Sequence, residues 1–193
     1  MLRLRPYAPS DAREIVKWSG SEYALRQWSA DRFFGCPCPL TPQALNDYYS
    51  RCGNRPDHWQ MTAVDEDGQP AGHLTMRCPD GSMDTIHFGF IIVDSGRRGR
   101  GYGRELLELA IRFAFTCAGA KKITLTVFDN NLAARRCYRS CGFRPAQVQD
   151  AGEFACMGEI WQRIKMELRP EDLPGETPSP GGGVRRNAQE DLT

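Results

Sequence analysis

Between positions 97 and 104 the sequence places four arginines, Arg97, Arg98, Arg100 and Arg104, among three glycines, Gly99, Gly101 and Gly103. Glycine tolerates positive φ and lets a ligand come close to the backbone. The apolar run TIHFGFIIV at 85–93 precedes the glycines and an amphipathic stretch follows, so the turn should join a strand to the start of a helix. The first amides of a helix have no internal acceptor and carry the positive end of its dipole. Such a turn suits a pyrophosphate, and the guanidinium groups add charge-assisted hydrogen bonds to a polyanion. A plain tight connection with solvated arginines would use the same residues. The Lys-Ser/Thr ending of a Walker A loop is missing. A Rossmann turn also fits poorly, because the spacing is Gly-x-Gly-x-Gly and the next strand, 122–128, runs directly into Asp129.

A second group with chemical potential is DNNLAARRCYRSCGF at 129–143. Asn131 suits a helix N-cap. Tyr138 offers either a phenolic proton or a ring for packing. Cys137 and Cys141 share a helix face, but two ligands do not make a structural metal site, and no metal is expected. Arg98-x-x-Gly101-x-Gly103 after an apolar strand, followed by Asn131, Ala134, Tyr138 and Gly142-Phe143, resembles the GNAT superfamily of acyl-coenzyme A-dependent N-acyltransferases. The resemblance is strong over 84–143. The N-terminal helices and the hairpin follow the family's usual order, and the last residues have no counterpart.

The resemblance implies an N-acetyltransferase that moves the acetyl group of acetyl-coenzyme A to a primary amine, by direct attack in a ternary complex. Arg98, Gly99, Arg100, Gly101, Tyr102, Gly103 and Arg104 would hold the pyrophosphate, and the backbone of Ile91, Ile92 and Val93 would pair with the pantetheine arm. Asn131 would contact the same arm, and Tyr138 would lie beside the thioester sulfur as the catalytic acid. A strand amide near Val93 would supply the oxyanion donor. The base is open: Asp84 and His87 are candidates, His87 also reads as a satisfied core histidine, and strand alternation puts it on the face of Gly89 and Ile91. Family members that acetylate ribosomal-protein N-termini often carry a glutamate where this chain has Thr126, which sets this chain apart from them. The acceptor, a small-molecule or peptide amine, should meet an aromatic region containing Trp18, Tyr23, Trp28, Phe33, Phe34, Tyr48 and Tyr49, unless those rings are core. Two readings from other classes compete: a non-catalytic acetyl-coenzyme A-binding module, and a nucleotide-binding oxidoreductase.

These residues need elements to position them. A strand at 2–5 leads to a helix opened by an Asp11/Glu14 capping box. A helix and loop occupy 21–40, and Thr41-Pro42 begins another helix that Gly53 should end. Strands at 59–65 and 71–77 form a hairpin around Gly68. The 85–93 run reads as a strand covered on both faces. A helix at 99–117, a strand at 122–128, a helix at 131–140 and a strand at 161–168 complete the order. Hairpin strands followed by strand-helix alternation make an α+β or mixed α/β fold. The resemblance adds a central, mostly antiparallel twisted sheet with helices on both faces and a splayed central strand pair.

At 193 residues the chain fits one domain, 1–169, followed by a Pro-, Gly- and charge-rich tail at 170–193 expected to be disordered. A net charge of +1 gives no bulk field for nucleic acid or a membrane surface. The eight cysteines are scattered without CxxC pairs, which suggests reduced thiols. With no signal-like start or apolar span, a cytoplasmic monomer or homodimer is expected.

Overall fold

In the computed structural model, residues 1–36, 38–52, 55–148 and 151–173 are described, so the expected cap at Gly53 lies outside them. One eight-stranded sheet runs in the order β1 (Arg3–Pro6), β2 (His58–Val64), β3 (Pro70–Arg77), β4 (Thr85–Val93), β5 (Lys122–Phe128), β8 (Glu159–Leu168) and β6 (Arg144–Pro145), with β7 (Glu153–Cys156) also paired to β8. Every pairing is antiparallel except β4 with β5. That parallel pair follows from the crossover helix α4 (Tyr102–Arg112) between its strands, since parallel neighbours need a long connection. Helices α1 (Ala12–Trp18), α2 (Glu22–Ser29) and α3 (Pro42–Cys52) bury Ile15, Leu25 and Leu45 in a core that includes Ile92. Leu106, Leu107 and Ala110 of α4 and Tyr138 of α5 (Leu132–Ser140) enter the main core with Phe88 and Leu125. Among the described residues no helix is long and apolar enough to cross a membrane.

Two irregularities in the central strands create the working space. First, β4 and β5 pair only from Thr85↔Lys122 to Phe88↔Leu125. Beyond that, β5 continues against β8 as far as Phe128↔Arg163, while β4 stays with β3 as far as Val93↔Gly72, so the two strands splay apart. Second, the register with β3 shifts where Phe90 and Ile91 face the single residue Leu74, and Phe90 takes φ +49°. This is a β-bulge, which reverses the inward-outward alternation. The expected alternation is therefore corrected: Ile91 and Val93 pack toward the main core with Phe88, while Phe90 and Ile92 turn to α1–α3.

Other differences have local causes. Gly99 and Gly101 sit at φ +76° and +86°, so α4 begins at Tyr102 rather than at 99, and its end becomes a π turn at Phe113–Cys117. The hairpin partner β7 and the two-residue β6 are strands that the sequence reading lacked, and β8 starts at Glu159 rather than 161. Pro170–Asp172 form a 3-10 turn, Asp172 pairs with Arg144 at 3.3 Å, and Leu173 packs on the main core, so 170–173 belong to the domain. The rest of the expected tail lies outside the described residues.

The Asp11/Glu14 capping box does not form. Asp11 instead accepts two bonds from Arg5, at 2.7 and 2.8 Å, and one from the Ala8 amide at 2.9 Å, while Glu14 pairs with Lys17. Burial alone would raise the Asp11 pKa, but these bonds outweigh it and hold the carboxyl below its usual range. Asp11→Asn should therefore cost about 1.5–3 kcal/mol at neutral pH, the worth of a hydrogen bond to a charged group. The carboxyl's contribution is complete above the unfolded pKa of about 3.9 and fades as pH falls through the lower folded value. Urea unfolding from pH 3 to 8 should show a constant gap between variant and native protein that closes below about pH 4.

Candidate active site

The splay between β4 and β5 opens a cleft of about 540 Å³. One wall is β4 from Phe88 to Val93, whose edge toward β5 has no strand partner past Phe88 among the described residues. At one end stands the glycine turn. A Cβ at Gly99 or Gly101 would meet no atom within 4 Å, so only their positive φ demands glycine. Gly103 differs from the other two: its φ lies outside the positive region, and a Cβ there would sit 3.4 Å from Cys137 Sγ. A methyl there would make an ordinary contact with α5, so neither φ nor the neighbouring protein atoms demand glycine at 103.

Among the described residues no side chain caps the N-terminus of α4 at Gly101. Glu105, the acidic residue of its first turn, instead accepts the Leu2 amide at 2.6 Å. The uncapped end leaves amides and dipole available to an anion. The four turn arginines do not act alike. Arg97 is held by Asp65 at 2.6 Å and Asp94 at 3.2 Å and lies over the Tyr102 ring, which ties the turn to the β2–β3 hairpin. Arg98 donates to the Trp18 carbonyl at 3.2 Å, and Arg104 pairs with Glu108 at 2.7 Å on an exposed surface. Arg98 and Arg104 line the cleft together with Arg136 of α5, which the sequence reading passed over, whereas Arg100 and Tyr102 lie outside the lining.

Opposite β4, α5 presents Asn131, Ala134 and Tyr138 to the cleft. The Asn131 side chain accepts the Ala134 amide at 3.2 Å, so it is an N-cap as well as a lining residue. Tyr138 is 7% exposed, and burial pushes its phenol pKa well above the ordinary value. Of the expected set, Ile91, Ile92, Val93, Arg98, Gly99, Gly101, Gly103, Arg104, Asn131 and Tyr138 thus share one cleft.

The proposed bases fare differently. His87 contacts Thr124 Oγ1 through Nδ1 at 3.1 Å, and burial, followed by Arg77 and Lys165, lowers its pKa to about 4. It stays neutral at physiological pH and does not line the cleft. Asp84 pairs with Lys121 on the surface, just before β4 begins and at the far end from the splay. Among the described residues lining the cleft there is no Asp, Glu or His. Most of the aromatic region is core: Trp18, Phe33 and Tyr49 are buried, Tyr48 packs against them, and Tyr23 and Phe34 cover Trp161 and Arg26. Trp28 alone of that set lines the cleft, edge-on to Phe90 at 5.4 Å. Beside it Gln27 donates to Asn130 at 3.1 Å, bridging α2 to the loop before α5.

Splayed strands, the start of α4 and a buried phenol thus meet in one cleft. The model of the acetyltransferase (GNAT) family matches residues 22–143, and the chain belongs to that family. Among solved structures, a spermidine N-acetyltransferase from Vibrio cholerae, in complex with CoA and spermine, is 20% identical with a TM-score of 0.72, over 89% of this chain and 96% of that one. A putative phosphinothricin N-acetyltransferase is 23% identical with a TM-score of 0.68, over 88% of this chain and 98% of that one. At such identity the likeness is one of fold.

Proposed function

We propose that the chain transfers the acetyl group of acetyl-coenzyme A to a primary amine by direct attack in a ternary complex. The observation that carries this reading is the position of Tyr138 in the same cleft as the unpartnered edge of β4 and the uncapped start of α4. The α4 amides, with Arg98, Arg104 and Arg136, suit the pyrophosphate and ribose phosphate. The free edge at Gly89–Val93 suits the amides of the pantetheine arm, strand against strand, and one of its N–H groups can hold the carbonyl oxygen as negative charge develops. Tyr138 donates a hydrogen bond to the departing sulfur. Its raised pKa keeps the proton on the phenol at all physiological pH values, so it stabilises the thiolate as a donor.

With no carboxylate or imidazole lining the described cleft, the acceptor's proton leaves to water, and the attacking amine is the small neutral fraction in solution. The rate kcat/KM should then rise tenfold per pH unit up to the acceptor's own pKa, with no inflection near the histidine value of about 6.5. A bell-shaped profile rising through pH 6–7 would show a protein base.

The reading is tested by a thermal-shift panel of acetyl-coenzyme A, NAD, FAD and ATP, followed by acetylation assays on spermidine, amino acids, aminoglycosides and peptides with free N-termini or lysines. A ligand at 100 times its Kd adds about 2.7 kcal/mol, a readily measured shift. Binding of acetyl-coenzyme A with turnover on an amine is expected. Binding without turnover on any amine would make the chain a sensor or scaffold, and stabilisation by NAD or FAD alone would make it an oxidoreductase.

A further inference from the structure

The coenzyme as read above takes up the β4 edge, the start of α4 and the α5 face, which leaves a part of the cleft without a role: Ala24, Gln27 and Trp28 of α2, with Thr126 of β5. Residues at i, i+3 and i+4 share one face of a helix, so α2 turns a single face to the cleft. Thr126 follows the last β4–β5 pair, Phe88↔Leu125, and is exposed where the strands part. The Gln27 side chain is oriented by its nitrogen, which donates to Asn130 Oδ1 at 3.1 Å and to the Tyr23 hydroxyl at 3.3 Å. Both bonds use the donor end of the amide. The carbonyl oxygen is the group left for a ligand, and it accepts hydrogen bonds only. Trp28 adds ring surface, edge-on to Phe90 at 5.4 Å. Among the described residues, the charged side chains lining the cleft are Arg98, Arg104 and Arg136. Glu22, the acidic residue of α2, pairs with Arg26 at 3.6 Å instead of joining the lining.

We propose that this face of α2 selects the acceptor, and that the acceptor is a monoamine with a flat, uncharged tail, an arylalkylamine. The proposal rests on reading the cleft as the acetyl-coenzyme A site. Gln27 Oε1 accepts an N–H of the amine, and the indole of Trp28 lies against the tail. A second ammonium group, as in a polyamine, would enter a cleft whose lining charges are positive and lose its water without gaining a counter-charge. The neutral carbonyl of Gln27 holds one N–H and is no counter-ion for a chain of cations.

The experiment compares phenethylamine with spermidine on the full chain, as initial rates at saturating acetyl-coenzyme A. The kcat/KM of native protein should favour phenethylamine at least about tenfold. Gln27→Glu keeps an acceptor oxygen and adds a negative charge, so it should swing that ratio toward spermidine by about tenfold or more while acetyl-coenzyme A affinity stays within a few fold. A loss of packing alone would lower both rates and leave the ratio where it was. Binding is read separately by NMR on protein with isotope-labelled tryptophan. Phenethylamine added to the coenzyme A-bound protein should move the Trp28 indole N–H signal, assigned through Trp28→Phe, and spermidine at the same concentration should not. A native preference for spermidine, an unmoved ratio in folded Gln27→Glu protein, or a Trp28 signal that ignores phenethylamine overturns the acceptor assignment. The assignment also fails alone when the protein acetylates another amine and not phenethylamine. Protein that binds no acetyl-coenzyme A, or acetylates no amine, overturns the transfer reading and the proposal with it.

Discussion

Replacing Gly101 with valine should lower acetyl-coenzyme A affinity by about 100-fold or more while leaving a folded protein. The turn holds Gly101 at φ +86°. For an L-residue the left-handed region costs roughly 1–2 kcal/mol, and a β-branched side chain is worse placed than most. A Cβ at this position meets no protein atom within 4 Å, so the side chain would project from the turn without crowding the core. The fold should tolerate it. The N-terminal amides of α4 are different, because relaxing φ at the N-cap rotates them away from a common anion. Loss of two charge-assisted hydrogen bonds, at about 1.5 kcal/mol or more each, corresponds to the stated fold-change. Gly101→Ala should be milder and Gly103→Ala milder still, since a methyl 3.4 Å from Cys137 Sγ is an ordinary contact at an ordinary φ. Isothermal titration of the three variants, with circular dichroism to confirm folding, checks the order. Unchanged affinity in folded Gly101→Val protein would remove the turn from the site.

The glycine turn was legible in the sequence because its signals are local: an apolar strand before it, a helical stripe after it, and glycines where positive φ is needed. Asn131 was legible for the same reason, since an N-cap bonds three residues away. The non-local features were not. Arg97 looks like its neighbours in sequence, and its place outside the cleft lining depends on Asp65, which the β2–β3 hairpin brings alongside. The bulge at Phe90 had no marker, because a non-glycine residue takes the positive φ, and it alone moved Ile91 to the other face of the sheet. Aromatic density between 18 and 49 marked where a second core would form rather than where a ligand would bind, and nothing in the types distinguishes Trp28 from Phe33. For His87 the sequence leaves two readings open, because chain position puts it on the strand that leads to the glycine turn, whereas its side chain goes to Thr124.

Tyr138→Phe separates a catalyst from a binder. The ring packs edge-on to Phe143 at 6.1 Å and belongs to the main core, so phenylalanine preserves the packing and removes one oxygen. Stability and acetyl-coenzyme A affinity should stay within a few fold of native, because the lost interaction is made chiefly with the developing thiolate. The turnover rate should fall by about 10²- to 10⁴-fold, the range for removal of a positioned acid, with kcat and kcat/KM falling together. The lower end of that range is favoured by two facts. A coenzyme A thiolate, with a thiol pKa of about 8.5, is a competent leaving group, and a phenol whose pKa burial has raised gives up little of its proton to it. Tyr138→Ala, which leaves a cavity against Phe143, should cost about 3–5 kcal/mol of stability in addition, the usual range for truncating a buried aromatic. The pair of variants assigns the role: a loss of turnover shared by Phe and Ala places the chemistry in the hydroxyl, whereas a silent Phe with a damaging Ala leaves Tyr138 as a wall of the cofactor cleft and strikes it from the catalytic residues.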